Sequence, residues 1–153
     1  MFPYQTTIKM RDTDAAQVVF FANYAILAHE AYEHAFQHYD KPLSYWLHTN
    51  TKIPIIHSQA HYKSPFFIGD PVSILLYVDH IGTRSFRLHY EFYKEHFTPQ
   101  LKSKPIVAVQ TVHVTVENKS SVALPTSLID VLHNIKDHNP GEYTPQLKNV
   151  FSQ

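Results

Sequence analysis

Residues 22–39, ANYAILAHEAYEHAFQHY, contain neither Gly nor Pro and are dominated by Ala, Glu and aromatic residues. Apolar side chains fall at Tyr24, Leu27, Ala28, Ala31, Tyr32, Ala35, Phe36 and Tyr39, the i, i+3, i+4, i+7 recurrence of a helix with one buried face. Asn23 is a candidate cap, and Pro42 fits a stop just beyond the end. Residues 43–49, LSYWLHT, predict a further short helical turn.

Downstream the period changes. IPIIHSQAHY from 53, VSILLYV from 72, SFRLHYEFY at 85–93 and IVAVQTVHVTV at 106–116 are four segments rich in β-branched and aromatic residues. In the third, Phe86, Leu88, Tyr90 and Phe92 alternate with Arg87, His89, Glu91 and Tyr93, which predicts antiparallel strands with one covered face. Upstream, YQTTIKMR at 4–11 reads as a first strand, broken by Asp12, Thr13 and Asp14. The order strand, long helix, four strands predicts an α+β chain in which one antiparallel sheet wraps around the helix. One helix covers a wide sheet poorly and the sheet edges stay open, so a homodimer or homotetramer is expected. Pro125 opens a last short helix through His133, and residues 134–153 read as a weakly structured tail. The division expected is a domain over 1–135 and a tail over 136–153.

Composition narrows the function classes. Lys plus Arg and Asp plus Glu are 13 each, so no basic excess points to nucleic acid. There is no Cys, which excludes disulfides, thiolate zinc sites and thiol nucleophiles. No signal-like segment and no apolar run of membrane-spanning length is present, and a cytoplasmic location is the expectation. Twelve His raise the question of a metal, with His34 and His38 one turn apart and His57 and His61 on one strand face. HExxxH at 29–34 is one residue too long for the zinc hydrolase motif, and no metal or other cofactor is expected.

Asp12 and Asp14 stand where the first strand gives way to the helix, ahead of the apolar run AAQVVFF. A carboxylate beside a helix N-terminus can attack or activate water while free N–H groups hold an oxyanion. The same two residues would serve equally well to cap a turn.

RDTDAAQVVFFANY at 11–24, with HEAYE at 29–33, resembles the signature of the 4-hydroxybenzoyl-CoA thioesterase family of hotdog proteins. PIIHSQAHYKSPFFIGDPV at 54–72 continues the likeness and is most similar to the branch acting on 1,4-dihydroxy-2-naphthoyl-CoA in menaquinone and phylloquinone synthesis. The resemblance implies a hotdog fold and an acyl-CoA thioesterase. It implies Asp14 as catalytic carboxylate, Asp12 as a structural neighbour and the backbone N–H of Phe21 as the group polarising the thioester carbonyl. Asn23 matches a polar residue at the helix start, and Gln17 stands where the family usually has Gly. His57 and Ser58 fall along the acyl pocket near the partner subunit's site, and Arg84, with Lys63 near a strand end, answers the need for cations on the CoA phosphates. Lys102 and Lys104 are further candidates for that contact, and Glu30 is a fallback base. Val19 occupies the position at which hotdog hydratases carry a histidine, which argues against dehydration chemistry. Short-chain or other aryl acyl-CoA esters are alternative substrates. A non-catalytic module binding an acyl group or acyl carrier protein is the alternative class.

Overall fold

The computed structural model describes residues 1–98 and 103–139. The sheet is built from β1 (Phe2–Thr7), β2 (Ile55–Tyr62), β3 (Pro71–Ile81), β4 (Ser85–Tyr93) and β5 (Val107–Val114). Its order is β1-β3-β4-β5-β2, antiparallel throughout, which leaves β1 and β2 as edges. Three helices accompany it: α1 (Asn23–His38), α2 (Leu43–Leu47) and α3 (Thr126–Asp137). Two short strands, β6 (Val116–Glu117) and β7 (Ser120–Ser121), form a separate hairpin. Among the described residues no helix is long and apolar enough to cross a membrane.

The expected helical face is the buried one. Leu27, Ala28, Ala31, Ala35 and Phe36 of α1 pack into a core shared with Ile74 and Leu76 of β3, the Phe86-Leu88-Tyr90-Phe92 row of β4, and Val107 and Val109 of β5. The alanines let the helix lie close to the sheet, while the aromatic rows of the sheet fill the space beside it. α1 ends where Asp40 takes a positive φ of 56° and the N–H of Lys41 returns to the carbonyl of Phe36 at 3.0 Å.

Two expectations are modified. The first strand stops at Thr7, because Asp12 turns the chain: its carboxylate accepts the N–H of Lys9 at 2.7 Å and closes a 3₁₀ turn over Met10–Asp12. The last helix extends past His133 to Asp137, across the boundary expected at residue 135. Leu128, Leu132 and Ile135 lie on one face of it and join the main core, so the helix continues while it still has apolar surface to bury. α3 packs on β3 and shares one core with α1. Residues 140–153 of the expected tail, and Lys102, lie outside the described residues.

The outer row of β4 is covered at one end. Arg87 is exposed, but Glu91 and Tyr93 are fully buried, with Leu75 and Met1 packed on Tyr93. The Glu91 carboxylate accepts hydrogen bonds from the hydroxyls of Tyr93 at 2.5 Å and Tyr77 at 3.2 Å. Burial pushes this carboxyl up, and the contributions of His89, Tyr93 and Tyr77 outweigh it and hold the group below the ordinary carboxylate range.

Candidate active site

Asp14 begins a tight turn. Thr13 pairs with Val19, the N–H of Asp14 donates to Val18 O at 2.9 Å, and the N–H of Gln17 donates to Asp14 O at 2.9 Å. Gln17 closes the turn with φ of 63°, the left-handed region that a glycine would enter freely. The turn thus has a left-handed residue that carries an amide side chain. The Asp14 side chain is exposed, and its Oδ1 accepts the N–H of Ala16 at 2.8 Å.

The turn is tied to the start of α1 through one carbonyl. Asp12 O accepts the N–H of Phe20 at 3.0 Å and the side-chain amide of Asn23 at 2.8 Å. Asn23 is the first helical residue and not the cap, a position that falls to Ala22. Its amide reaches back out of the helix and fastens the 12–20 loop to it. Phe21, 63% exposed, sits just ahead of the helix. Its carbonyl accepts the hydroxyl of Tyr62 at 3.2 Å, and no described residue accepts a hydrogen bond from its N–H. That N–H lies at the positive end of the α1 dipole. The loop's other flank is stitched to the chain before β3: Val18 pairs with Phe67, and Val19 N–H donates to Phe66 O at 3.0 Å.

The strand register sorts the remaining candidates. Lys63 follows Tyr62, its N–H on Ile106 O at 2.8 Å, and is exposed at the Asp14 end. Ser58 and His57 are exposed on edge strand β2, with His57 about 16 Å from Tyr62 along the strand at ~3.3 Å per residue. Arg84 is exposed in the β3–β4 turn, also at the far end. One chain thus brings together Asp14, Gln17, Phe21, Asn23 and Lys63, and holds His57, Ser58 and Arg84 away from them. Glu30 accepts the hydroxyl of Tyr4 at 3.2 Å and faces Arg11 at 3.6 Å, so the fallback base is engaged towards β1. His34 and His38 pack on Phe2, with ring centroids 5.9 and 5.1 Å away.

Sequence reading passes over Tyr62 and Phe66. Tyr62 stacks near Tyr24 at 5.2 Å between centroids and holds the carbonyl of Phe21. No local pattern marks it, because its partners lie some 40 residues earlier in the chain. Around Asp14 the surface is apolar: Phe20, Tyr62 and Phe67 are all exposed.

An antiparallel sheet over one long helix, with a carboxylate turn fastened to the start of that helix, defines a hotdog-class protein. The backbone matches a 1,4-dihydroxy-2-naphthoyl-CoA thioesterase from Synechocystis with a TM-score of 0.79, covering 90% of this chain and 98% of that one at 23% identity, a likeness of fold. The profile of the Thioesterase-like superfamily matches residues 8–134, and the chain belongs to that family. It is 30% identical over 122 residues to the 1,4-dihydroxy-2-naphthoyl-CoA hydrolase of Crocosphaera subtropica, covering 79% of this chain and 89% of that protein. To the protein of the same name from Nostoc punctiforme it is 36% identical over 91 residues, 59% of this chain and 62% of that protein's length. The expected hotdog architecture and thioesterase class are both borne out.

Proposed function

We propose that this chain hydrolyses the thioester of an aromatic acyl-CoA, with 1,4-dihydroxy-2-naphthoyl-CoA as the leading substrate, and that Asp14 is its catalytic carboxylate. The observation that supports the reading is the shared Asp12 carbonyl, which ties the turn begun at Asp14 to the start of α1, where the Phe21 N–H has no acceptor among the described residues. The similarity to hydrolases of this ester over most of the chain supports the substrate.

In this mechanism the thioester oxygen accepts the Phe21 N–H, which polarises the carbonyl. The Asp14 carboxylate then attacks the carbon, forming an anhydride that water opens, or takes a proton from a water that attacks. In both routes the negative oxygen of the tetrahedral species rests on the Phe21 N–H at the positive helix end. The C–S bond breaks, CoA leaves as the thiolate and takes up a proton, and the acyl group leaves as a carboxylate. Gln17 and Asn23 shape the turn around the reacting centre in this reading, and the role proposed for the Gln17 amide is to orient the water or the acyl group.

An exposed carboxylate needs to be desolvated for this work. The apolar surface around Asp14 and the bare edge of β2 support a homodimer, with two β2 strands pairing antiparallel about a two-fold axis. Such pairing lays the start of one β2 beside the end of the other. It carries His57, Ser58 and Arg84 of one chain towards the Asp14 and Lys63 of its neighbour, where Lys63 and Arg84 meet CoA phosphates. Pairing of dimers into a tetramer is compatible with this seam. A cytoplasmic location, where CoA esters are made, belongs to the same reading.

Asp14→Asn keeps the shape and removes the charge. Turnover of 1,4-dihydroxy-2-naphthoyl-CoA, read as released thiol, is expected to fall about 100-fold or more, with unchanged circular dichroism. A folded variant with near-normal turnover would remove Asp14 from its role.

A further inference from the structure

The Phe21 carbonyl is held by a side chain that comes from the sheet. Ala25 N–H donates to Ala22 O at 3.2 Å and Asn23 N–H to Phe20 O at 2.8 Å, so the first turn of α1 passes the Phe21 oxygen by. Among the described residues its one donor is the hydroxyl of Tyr62, at 3.2 Å, from the last residue of β2. The preceding peptide unit is held separately. Phe20 N–H donates to Asp12 O at 3.0 Å, and the Phe20 carbonyl accepts the N–H of Asn23. A trans peptide sets its N–H opposite its carbonyl, so the Phe21 N–H points away from that first turn. Phe21 is therefore the joint between two fastened peptide units, and Tyr62 fastens the second.

Tyr62 is itself held in place. Its main chain pairs with Val107, and the next N–H, of Lys63, donates to Ile106 O at 2.8 Å. Its ring lies 5.2 Å from that of Tyr24, which is buried against Phe66 and Phe92 at 6.3 and 5.8 Å between centroids. Tyr24 belongs to the first turn of α1, so the ring that reaches Phe21 leans on the same helix. The bond from its hydroxyl is exposed to solvent, where water would satisfy both partners. A hydrogen bond exchanged for bonds to water adds little to stability. What it adds is direction, because the Phe21 carbonyl is kept from swinging and the torsions at the Phe21 α-carbon are fixed with it.

We propose that Tyr62 is a positioning residue for thioester hydrolysis: through the Phe21 carbonyl, its hydroxyl aims the Phe21 N–H at the oxygen of the bound ester. This role rests on the thioesterase reading above. An oxyanion donor works only at short range and in the right direction, and its grip matters most once the oxygen carries negative charge. Small misplacements of a group that acts on the reacting centre cost a large part of the rate. Tyr62 touches neither the ester nor the attacking oxygen in this role. Because it closes β2, it also makes the sheet edge one of the supports of the site.

Tyr62→Phe deletes the hydroxyl and keeps the ring on Tyr24. With 1,4-dihydroxy-2-naphthoyl-CoA and the full chain, kcat is expected to fall about tenfold or more while KM stays within about twofold. The second readout is the carbonyl stretch of the bound ester, which a hydroxyl that merely tied strand to loop would leave alone. Infrared difference spectra use ester isotope-labelled at its carbonyl carbon, bound to Asp14→Asn, whose slow turnover preserves it. In Asp14→Asn the stretch should lie below that of free ester, and adding Tyr62→Phe should return it at least about half-way. Should Tyr62→Phe fold poorly, 4-methoxyphenylalanine at position 62 keeps the oxygen and removes the proton, with the same results expected. Unchanged kcat in a folded variant, or a lower kcat with the stretch unmoved, overturns the role of Tyr62 and leaves the thioesterase reading standing. An unsubstituted chain that hydrolyses no aryl-CoA ester overturns that reading and this role together.

Discussion

Gln17 holds a backbone conformation that side chains with a Cβ adopt at a cost of roughly 1–2 kcal/mol, and its φ of 63° is set by the turn that carries Asp14. Gln17→Gly removes that cost and returns part of it as extra freedom of the unfolded chain. The expected net gain is about 0.5–1 kcal/mol, read as a higher urea midpoint at unchanged m-value. A loss of stability instead would mean that the Gln side chain makes contacts worth more than the relief. At this scale the sequence was informative about chemistry and poor about partners. Asp14 before a helix and the missing Gly were both legible from type and position. That the Asp12 carbonyl, and not its side chain, ties the loop to Asn23 was not, because main-chain groups look alike in every residue. Tyr62 and Phe66 were passed over for a related reason: each gains its meaning from neighbours distant in the chain.

Elements were more legible than their arrangement. The long helix begins and ends within a residue of the periodic stretch, and the strands coincide with the β-branched and aromatic runs, since side-chain period is a local property. Strand order is not local. β2 and β5 carry similar composition, and nothing in either announces that they pair while β2 remains an edge. Helix α3 outran its expected end because Ile135 finds a core that only the folded sheet provides. The edge itself makes a prediction. Ile56 is 62% exposed at an irregularity in β2, and a charge on a bare strand hinders its pairing with another copy. Ile56→Lys should shift the mass measured by light scattering from twice that of one chain towards that of one, and lower activity per chain about tenfold or more, with the far-ultraviolet dichroism retained. An unchanged mass would place the seam elsewhere.

For the whole molecule, formal charges balance at 13 of each sign, so acid sensitivity depends on individual buried groups more than on net repulsion near neutrality. His113 is one. It is held neutral in the fold with a pKa of about 3, against about 6.5 unfolded, so below pH 6.5 the unfolded chain binds the extra proton. Its contribution is complete above about pH 6.5 and declines by up to about 1.4 kcal/mol per pH unit as the pH falls towards 3. Glu91, held below its ordinary range, adds a loss at lower pH, as its carboxylate protonates. Urea titrations between pH 7 and 4.5 should show this slope, and His113→Gln should flatten it; an unaltered slope would mean that other groups carry the effect. The sheet order has a consequence for how the protein is made. β2 emerges from the ribosome roughly 45 residues ahead of β5, a wait of several seconds at about 5–20 residues per second, and among the described residues β5 is the one strand it pairs with. During that interval Ile55 and Ile56 form part of an unsheltered nascent strand, which makes this segment the natural client of holding chaperones and the place where slowed or crowded translation would first tip the chain into aggregates.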